Sequence, residues 1–513
     1  MLRWFCPFLV LLSAGSAPAA PPAVTSLNPG GGERGTTVSV IATGTFDPWP
    51  VQIWCSHPGI AVKAEKAKGQ LAVTIAKDTP VGVHWLRFHD DAGASQLRPF
   101  VVGDRPEVAE TEPNDDPKTA PIIALPAVVN GALAKSGDTD GFRVKLTKGQ
   151  TLVASLEAHR TLRSPMDAIL QLVSDTGAVV AQNHDTRGLD PELAFTAPAD
   201  GTFAVRLFAF PSQPDSSIRH FGSPACVYRL TLTTGPFVDY ATPLAAQKDR
   251  DVLLALRGWN LKDQSVTLGK NEDRFGIVRE THACFDGPTD KPLSPPFTVT
   301  GRVEKSGAPS VILVAGVAGK PLAIQLDPAG LSLSPIVRIA DAAEKQLSKF
   351  EPAALNGPID AAFTPPATAT YRFEVRDLFA SASPRHVYRL RVTPALPDLE
   401  AKVASDRFTI AVGTPLDIPI AVKRLRGFTD ELVAYAETLP EGIAVGVAPP
   451  PAKPDPNTVT LRLTATKPFA GGPIRLGVGK KGDDTVRRLA SATLADFEHT
   501  TPYLWLTATA AKK

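Results

Sequence analysis

Glu110, Glu112, Asn114 and Asp115 lie within the stretch "ETEPNDDPKTA" (110–120), and Asp138 and Asp140 follow in "SGDTDGF". Calcium takes six to eight oxygens from carboxylates, amide carbonyls, backbone and water. In an extended segment, residues two apart face the same side. Glu110, Glu112 and Asn114 therefore project together, with Pro113 discouraging helix and Asp115 at the following turn. Asp138 and Asp140 sit just before a strand. If the chain folds this pair against the first group, one pocket gathers the carboxylates of Glu110, Glu112, Asp115, Asp138 and Asp140 and the amide of Asn114. The competing reading is a solvated acidic linker plus a turn, since Asp, Asn and Gly are turn residues in any case. No nucleophile or general base accompanies the stretch, so cation binding is the chemistry expected of it.

Other motifs carry less. Asp175-Thr176-Gly177 spells an aspartic-protease signature, but "LQLVSDTGAVVAQ" reads as two alternating strands around a turn. Gly30 to Gly35 ("GGGERG") satisfies the spacing of a dinucleotide fingerprint, which works only between a strand and a helix; strand residues follow here, so a turn is expected. The nine histidines are scattered, and neither HExxH nor GxSxG occurs. Trp259 and Phe203, on alternating strands, are expected in cores. Cys55, Cys226 and Cys284 have no zinc spacing. Cys226–Cys284 is the disulfide to test first, with three separate thiols as the open alternative.

The elements that position these residues read as strands. Helical periodicity is almost absent. "TTVSVIAT", "TFAVRLFAF", "YRLTLTT", "YRFEVRD", "VYRLRVT" and "TVTLRLTAT" alternate apolar and polar residues between turn clusters, the pattern of half-buried antiparallel strands. The chain is long enough for several domains. An all-β fold of tandem β-sandwich modules, immunoglobulin-like and jelly-roll-like, strung along the sequence is expected.

Internal repeats divide the chain. "VNGALAKSGDTDGFRVKLTKGQTLVASLEA" (from Val129) aligns with "VTGRVEKSGAPSVILVAGVAGKPLAIQLDP" (from Val299). "LAFTAPADGTFAVRL" aligns with "AAFTPPATATYRFEV", and "ACVYRLTL" with "RHVYRLRV", in the same order. A second, shorter similarity links "LNPGGGERGTTVSVIATGTF" to "ATPLAAQKDRDVLLALRGWNL". The expected divisions are a signal segment at 1–19, then modules at 20–105, 106–235, 236–289, 290–394 and 395–513, in the order A-B-A-B-C.

The B modules, in "ETEPNDDPKTA…LPAVVNGALAKSGDTDGFRVKLTKGQTLVASLEA…APADGTFAVRLF…YRLTL", resemble the bacterial pre-peptidase C-terminal domain. The likeness is strongest to the version in large secreted planctomycete-type proteins, and the module is similar to the collagen-binding modules of clostridial collagenases. The A modules are similar to IPT/TIG-type immunoglobulin folds. The resemblance implies a jelly-roll-like sandwich that accompanies catalytic domains or stands in non-catalytic surface proteins. It also implies calcium ligands at the E-x-E-x-N-D stretch and at the acids beside the next strand. The second copy has Gly307-Ala308-Pro309-Ser310 where the first has Gly137-Asp138-Thr139-Asp140, and it has no counterpart of "EPND". The scaffold persists without the acids, so any ion is expected in the first copy alone.

Composition narrows the class of partner. With 54 Lys+Arg against 52 Asp+Glu, no net field favours nucleic acid or an anionic membrane. Arg3, the apolar run Phe5–Leu12 and Ala17-Pro18-Ala19 read as a secretory signal, and no segment is long and apolar enough to span a bilayer. The expectation is a non-catalytic binding or scaffold protein, secreted, periplasmic or at the cell surface. It would contact extracellular protein or polysaccharide and carry a structural calcium ion in the first B module. The alternative is a substrate-targeting accessory, or remnant, of a secreted peptidase.

Overall fold

The computed structural model describes residues 20–511 apart from short stretches at 214, 215, 217, 218, 271, 273, 450–452, 454, 495, 496 and 498. The signal-like segment 1–19 lies outside the described residues. The chain is all-β and built of tandem sandwiches. Alternation in the sequence becomes alternation in burial: along Met166–Val173 every second side chain from Met166 is buried, and Val173 with them.

The first sandwich pairs a four-stranded sheet, from Ala23–Asn28 to Ile60–Ala64, with a five-stranded one containing Gly31–Glu33, Arg98–Gly103, Gly82–Asp90 and Gln52–Cys55. Val40, Leu71, Val73, Phe88 and Phe100 fill the space between them. The glycine-rich stretch is not simply a turn. Gly31–Glu33 is a short strand parallel to Arg98–Gly103, and the turn comes after it at Gly35 (φ +82°). Only glycine fits at 31, where a Cβ would meet the Val101 carbonyl at 2.1 Å and the Arg229 guanidinium at 2.4 Å.

The two repeat copies have one topology. In the first, Glu107–Ala109, Ala127–Ala132, Val227–Thr233, Thr151–Glu157 and Glu192–Thr196 form one sheet; Asp140–Leu146, Gly201–Pro211, Met166–Val173 and Val179–Asn183 form the other. The second copy repeats this order with Ala283–Asp286, Phe297–Arg302, Val387–Pro394, Leu322–Asp327 and Ile359–Phe363 facing Ser310–Gly316, Ala369–Asp377, Pro335–Ala340 and Gln346–Phe350. Register is shared to the residue, with Tyr228 opposite Gly131 and Tyr388 opposite Gly301. Asp175-Thr176-Gly177 is the turn of a hairpin, closed by the Gly177 N–H donating to the Ser174 carbonyl at 3.0 Å.

Between the copies lies a small unit of Phe237–Thr242, Val252–Trp259 and Ser265–Leu268 with a parallel pair, Ala245–Gln247 and Val278–Glu280. The last module threads ten strands around a core that includes Ile420, Leu463, Val478 and Leu506. Two expected core aromatics sit at core edges instead. Trp259 is half-buried with its ring 5.9 Å from Phe237, and Phe203 is half-buried against Phe195 at 5.2 Å. No disulfide joins Cys226 to Cys284. Among the described residues Cys55, Cys226 and Cys284 are free thiols, Cys226 within the first copy's core and Cys284 on an edge strand of the second.

Modules that follow one another in sequence do not merely trail off in space, because the last returns to the first. Arg87, fully buried, donates to Asp406 Oδ2 at 2.7 Å and to the carbonyls of Ser95 and Tyr503 at 3.1 Å. Its guanidinium lies 5.8 Å from the Trp505 ring centre. Around it Trp54 packs on Trp505, Trp85 on Phe497, and His89 Nδ1 bonds the Ala470 carbonyl at 3.1 Å. Removing one partner of a buried ion pair strands the other charge. Asp406→Asn is expected to lower stability by about 3–5 kcal/mol, read as a shift in the denaturation midpoint, with a larger radius of gyration in X-ray scattering.

Candidate metal centre

The segment after strand Glu107–Ala109 leaves the edge of the first copy's five-stranded sheet, and strand Asp140–Leu146 opens the facing sheet. Between these two places Glu110, Glu112 and Asp140 each present an oxygen within 4.8 Å of the others. Asp140 is fully buried, Glu110 half-buried and Glu112 exposed. Among the described residues this is the one group of three or more metal-ligating side chains packed so closely.

Donors hold both oxygens of Glu110 and one oxygen each of Glu112 and Asp140. The Ala132 N–H donates to Glu110 Oε1 at 2.7 Å, and the Asn114 N–H to Glu112 Oε2 at 2.9 Å. The Tyr228 phenol reaches both Glu110 Oε2 at 2.7 Å and Asp140 Oδ2 at 2.5 Å. Gly131 makes this possible: a Cβ there would lie 2.2 Å from Glu110 Oε2 and 2.4 Å from the Tyr228 hydroxyl. Gly141 does the same for the incoming loop, its N–H donating to the Asn114 carbonyl at 3.0 Å where a Cβ would approach that carbonyl to 2.8 Å.

Two carboxylates sharing one phenol proton repel each other, Asp140 fully buried and Glu110 half-buried. Burial first, and the Glu110 charge second, push Asp140 up to about 9; burial raises Glu110 as well. Burial, with Asp140 and Glu110 beside it, holds the Tyr228 phenol well above its usual range, so it stays a donor. Without a cation, the cluster keeps a proton that a divalent ion would displace.

Unsatisfied atoms fit such an ion. Asn114 is 1 % exposed, yet neither its Oδ1 nor its Nδ2 has a hydrogen-bond partner, and Asp140 Oδ1 has none. Buried polar atoms of this kind call for water or an ion. The donor set is all oxygen and carboxylate-rich, the set calcium takes rather than a soft metal.

Asp115 and Asp138 stand apart from this group. Asp115 is exposed, with Oδ1 3.4 Å from the Thr139 N–H, tying the acidic segment to the second loop. Asp138 is buried and turns Oδ2 back on its own loop, accepting from the Ala134 N–H at 2.5 Å; its Oδ1, 3.9 Å from Lys135 Nζ, has no hydrogen-bond partner. Tyr228 was not singled out by residue type or spacing. The one signal for it is that "VYRL" recurs in both copies. His184 and Asp185 form an exposed 2.7 Å pair beyond the hairpin, away from the cluster.

No family model and no curated protein matches the sequence. Among solved structures, the chain aligns at 11% identity and a TM-score of 0.18 with the eight N-terminal immunoglobulin domains of Down Syndrome Cell Adhesion Molecule, covering 96% of this chain and 48% of that one. It aligns at 11% identity and a TM-score of 0.16 with Salmonella alpha-2-macroglobulin, and at 10% and 0.16 with the Escherichia coli protein, covering 97% of this chain and 47% and 50% of theirs. The chain thus spans about half the length of these structures, and the likeness does not extend to a common spatial arrangement. Among the described residues no helix is long and apolar enough to cross a membrane.

The titration of Asp140 sets a direction for stability. The folded chain holds this proton up to about pH 9, whereas an unfolded aspartate releases it near 3.8. The metal-free native state therefore binds more protons across that window, and stability must fall as pH rises through it. Asp190, raised by burial to about 6, acts in the same sense below that pH. Denaturation midpoints in chelator are expected to decline from pH 5 to 9, and Asp140→Asn to flatten most of the decline above pH 6.

Proposed function

We propose that the chain is an exported, non-catalytic binding scaffold, with one structural calcium ion in its first pre-peptidase-C-terminal-like module. Glu110, Glu112, Asp140 and the Asn114 Oδ1 would hold the ion, which supplies the positive charge that lets both buried carboxylates ionise together. The observation carrying this reading is the convergence of Glu110, Glu112 and Asp140 within 4.8 Å beside a buried Asn114 amide with no partner.

The site is placed to govern how two modules meet. Glu110 caps the Ala132 N–H, and the Ala132 side chain packs with Leu162 and Val227 against Val101 of the first module. One residue beyond Tyr228, buried Arg229 binds Glu107 through both carboxylate oxygens at 2.8 and 2.9 Å, beside Gly31 of that same module. Calcium would fix the loop from which Glu110 reaches this seam, and so the angle between the modules. Exposed faces of the sandwiches would then contact an extracellular protein or polysaccharide.

Chelation tests the ion. If calcium stands hundredfold above its dissociation constant, linkage adds about 2.7 kcal/mol to the module. Melting in millimolar calcium is expected several degrees above melting in EDTA, and Glu110→Gln or Asp140→Asn is expected to erase the difference. Identical curves for the unaltered protein would remove calcium from the account. The binding role is tested by sedimentation with insoluble fractions: retention on cell-wall polysaccharide or exported proteins supports a scaffold, whereas retention on collagen fibres alone assigns the chain to substrate targeting beside a peptidase.

A further inference from the structure

The second copy keeps the framework of the acidic site and empties it. Gly287 stands at the position of Glu110, since the Gly287 N–H donates to the Thr300 carbonyl at 2.8 Å as the Glu110 N–H donates to Asn130 at 2.9 Å. Ser310 replaces Asp140 and still receives the buried tyrosine, Tyr388, at 2.7 Å. Ala308 replaces Asp138 in a turn of the same form, with the Ala308 N–H on the Lys305 carbonyl and the Gly307 N–H on the Ala380 carbonyl. The loop across the gap is seven residues shorter, 288–292 where the first copy has 111–122. What remains is a cavity of about 480 Å³ whose walls include Gly287, Arg302, Lys305, Ala308 and Ser310.

The two capping acids of the first copy have no acidic counterpart at their own positions, where Gly287 and Ala308 stand. In the first copy the Ala132 N–H is capped by Glu110 and the Ala134 N–H by Asp138. Their counterparts are Arg302 and Glu304. Val303 turns its N–H inward to the His386 carbonyl at 2.9 Å, so by strand alternation the Arg302 N–H points outward to the cavity side. Ser310, accepting from Tyr388, has its own hydroxyl proton free for a further acceptor. Lys305 adds an exposed ammonium to the wall, and the exposed side chains of Asp286 and Glu304 line the cavity too.

We propose that this cavity binds a carboxylate-bearing peptide segment of a partner protein, occupying in trans the space that residues 110–117 occupy in cis in the first copy. The peptide's Asp or Glu would accept from the Arg302 and Glu304 N–H groups and from Ser310, with Lys305 balancing its charge. The occupant is a peptide because the first copy fills the same framework with one, and its length is that of the missing loop. This inference does not rest on calcium in the first copy.

The test uses the full chain in EDTA and a fluorescein-labelled, end-blocked peptide Glu-Thr-Glu-Pro-Asn-Asp-Asp, followed by polarisation. Saturable binding is expected, at least about tenfold weaker for the version with every acid replaced by its amide. Ala308→Asp, which restores the first copy's residue in the same turn, is expected to weaken binding by a similar factor with an unchanged melting temperature; Lys305→Gln should weaken it less. No binding, equal binding of the amide version, or binding indifferent to Ala308→Asp overturns the proposal. Displacement by glutarate at the peptide's own concentration also overturns it, since the cavity then takes a small carboxylate and not a peptide.

Discussion

One buried phenol proton shared between two carboxylates is the constraint on which the first repeat's chemistry depends. Tyr228 lies opposite Gly131 in a register that both copies keep, and its hydroxyl sits where the two sheets begin to part. In the second copy a serine hydroxyl satisfies the equivalent tyrosine, and the arrangement is neutral. In the first, Glu110 and Asp140 meet the phenol from both sides, and the low polarity around them makes two negative charges costly together. A proton or a cation must relieve that cost. The first copy therefore carries a site whose state is set by what relieves that cost, while in the second copy Ser310 satisfies the tyrosine without a charge.

The seams between modules follow a related rule. Arginines stand at them, Arg87 and Arg229 buried and Arg187 and Arg385 half-buried. Arg229 meets Glu107 next to the first module, and Arg87 meets Asp406 where the last module returns to the first. Arg187 and Arg385, from the two repeat copies, converge on Asp239 of the small unit between them at 2.7 and 3.1 Å. Planar guanidinium groups with several donors suit such junctions: Arg87 and Arg187 each satisfy acceptors from two modules at once.

How much of this was legible in sequence depends on the range of the interaction. Strands showed themselves through local alternation, and the duplication through ordered similarity. Glu110, Glu112 and Asp140 were singled out because residues two apart in an extended segment face one side and the acids before the next strand could fold against them; the structure brings these three together. Asp115 and one oxygen of Asp138 accept from nearby N–H groups, while Asp138 Oδ1 is buried with no hydrogen-bond partner, a distinction spacing cannot draw. Tyr228 was hidden because "VYRL" reads as ordinary core. The closure through Arg87 was hidden for a different reason: its acceptor lies in another module 319 positions along the chain, and nothing local marks either residue. Phe203 and Trp259 alternate as core residues do but lie at sheet margins, where periodicity says which face is inward and not how deep it lies.

Calorimetric titration of calcium into the metal-free protein near pH 7.5, repeated in two buffers of different ionisation enthalpy, addresses the central claim directly. The account predicts one ion per chain, taken up with release of about one proton as Asp140 ionises, and neither ion nor proton in Asp140→Asn. Calcium uptake with no proton release, or no uptake at all, contradicts it.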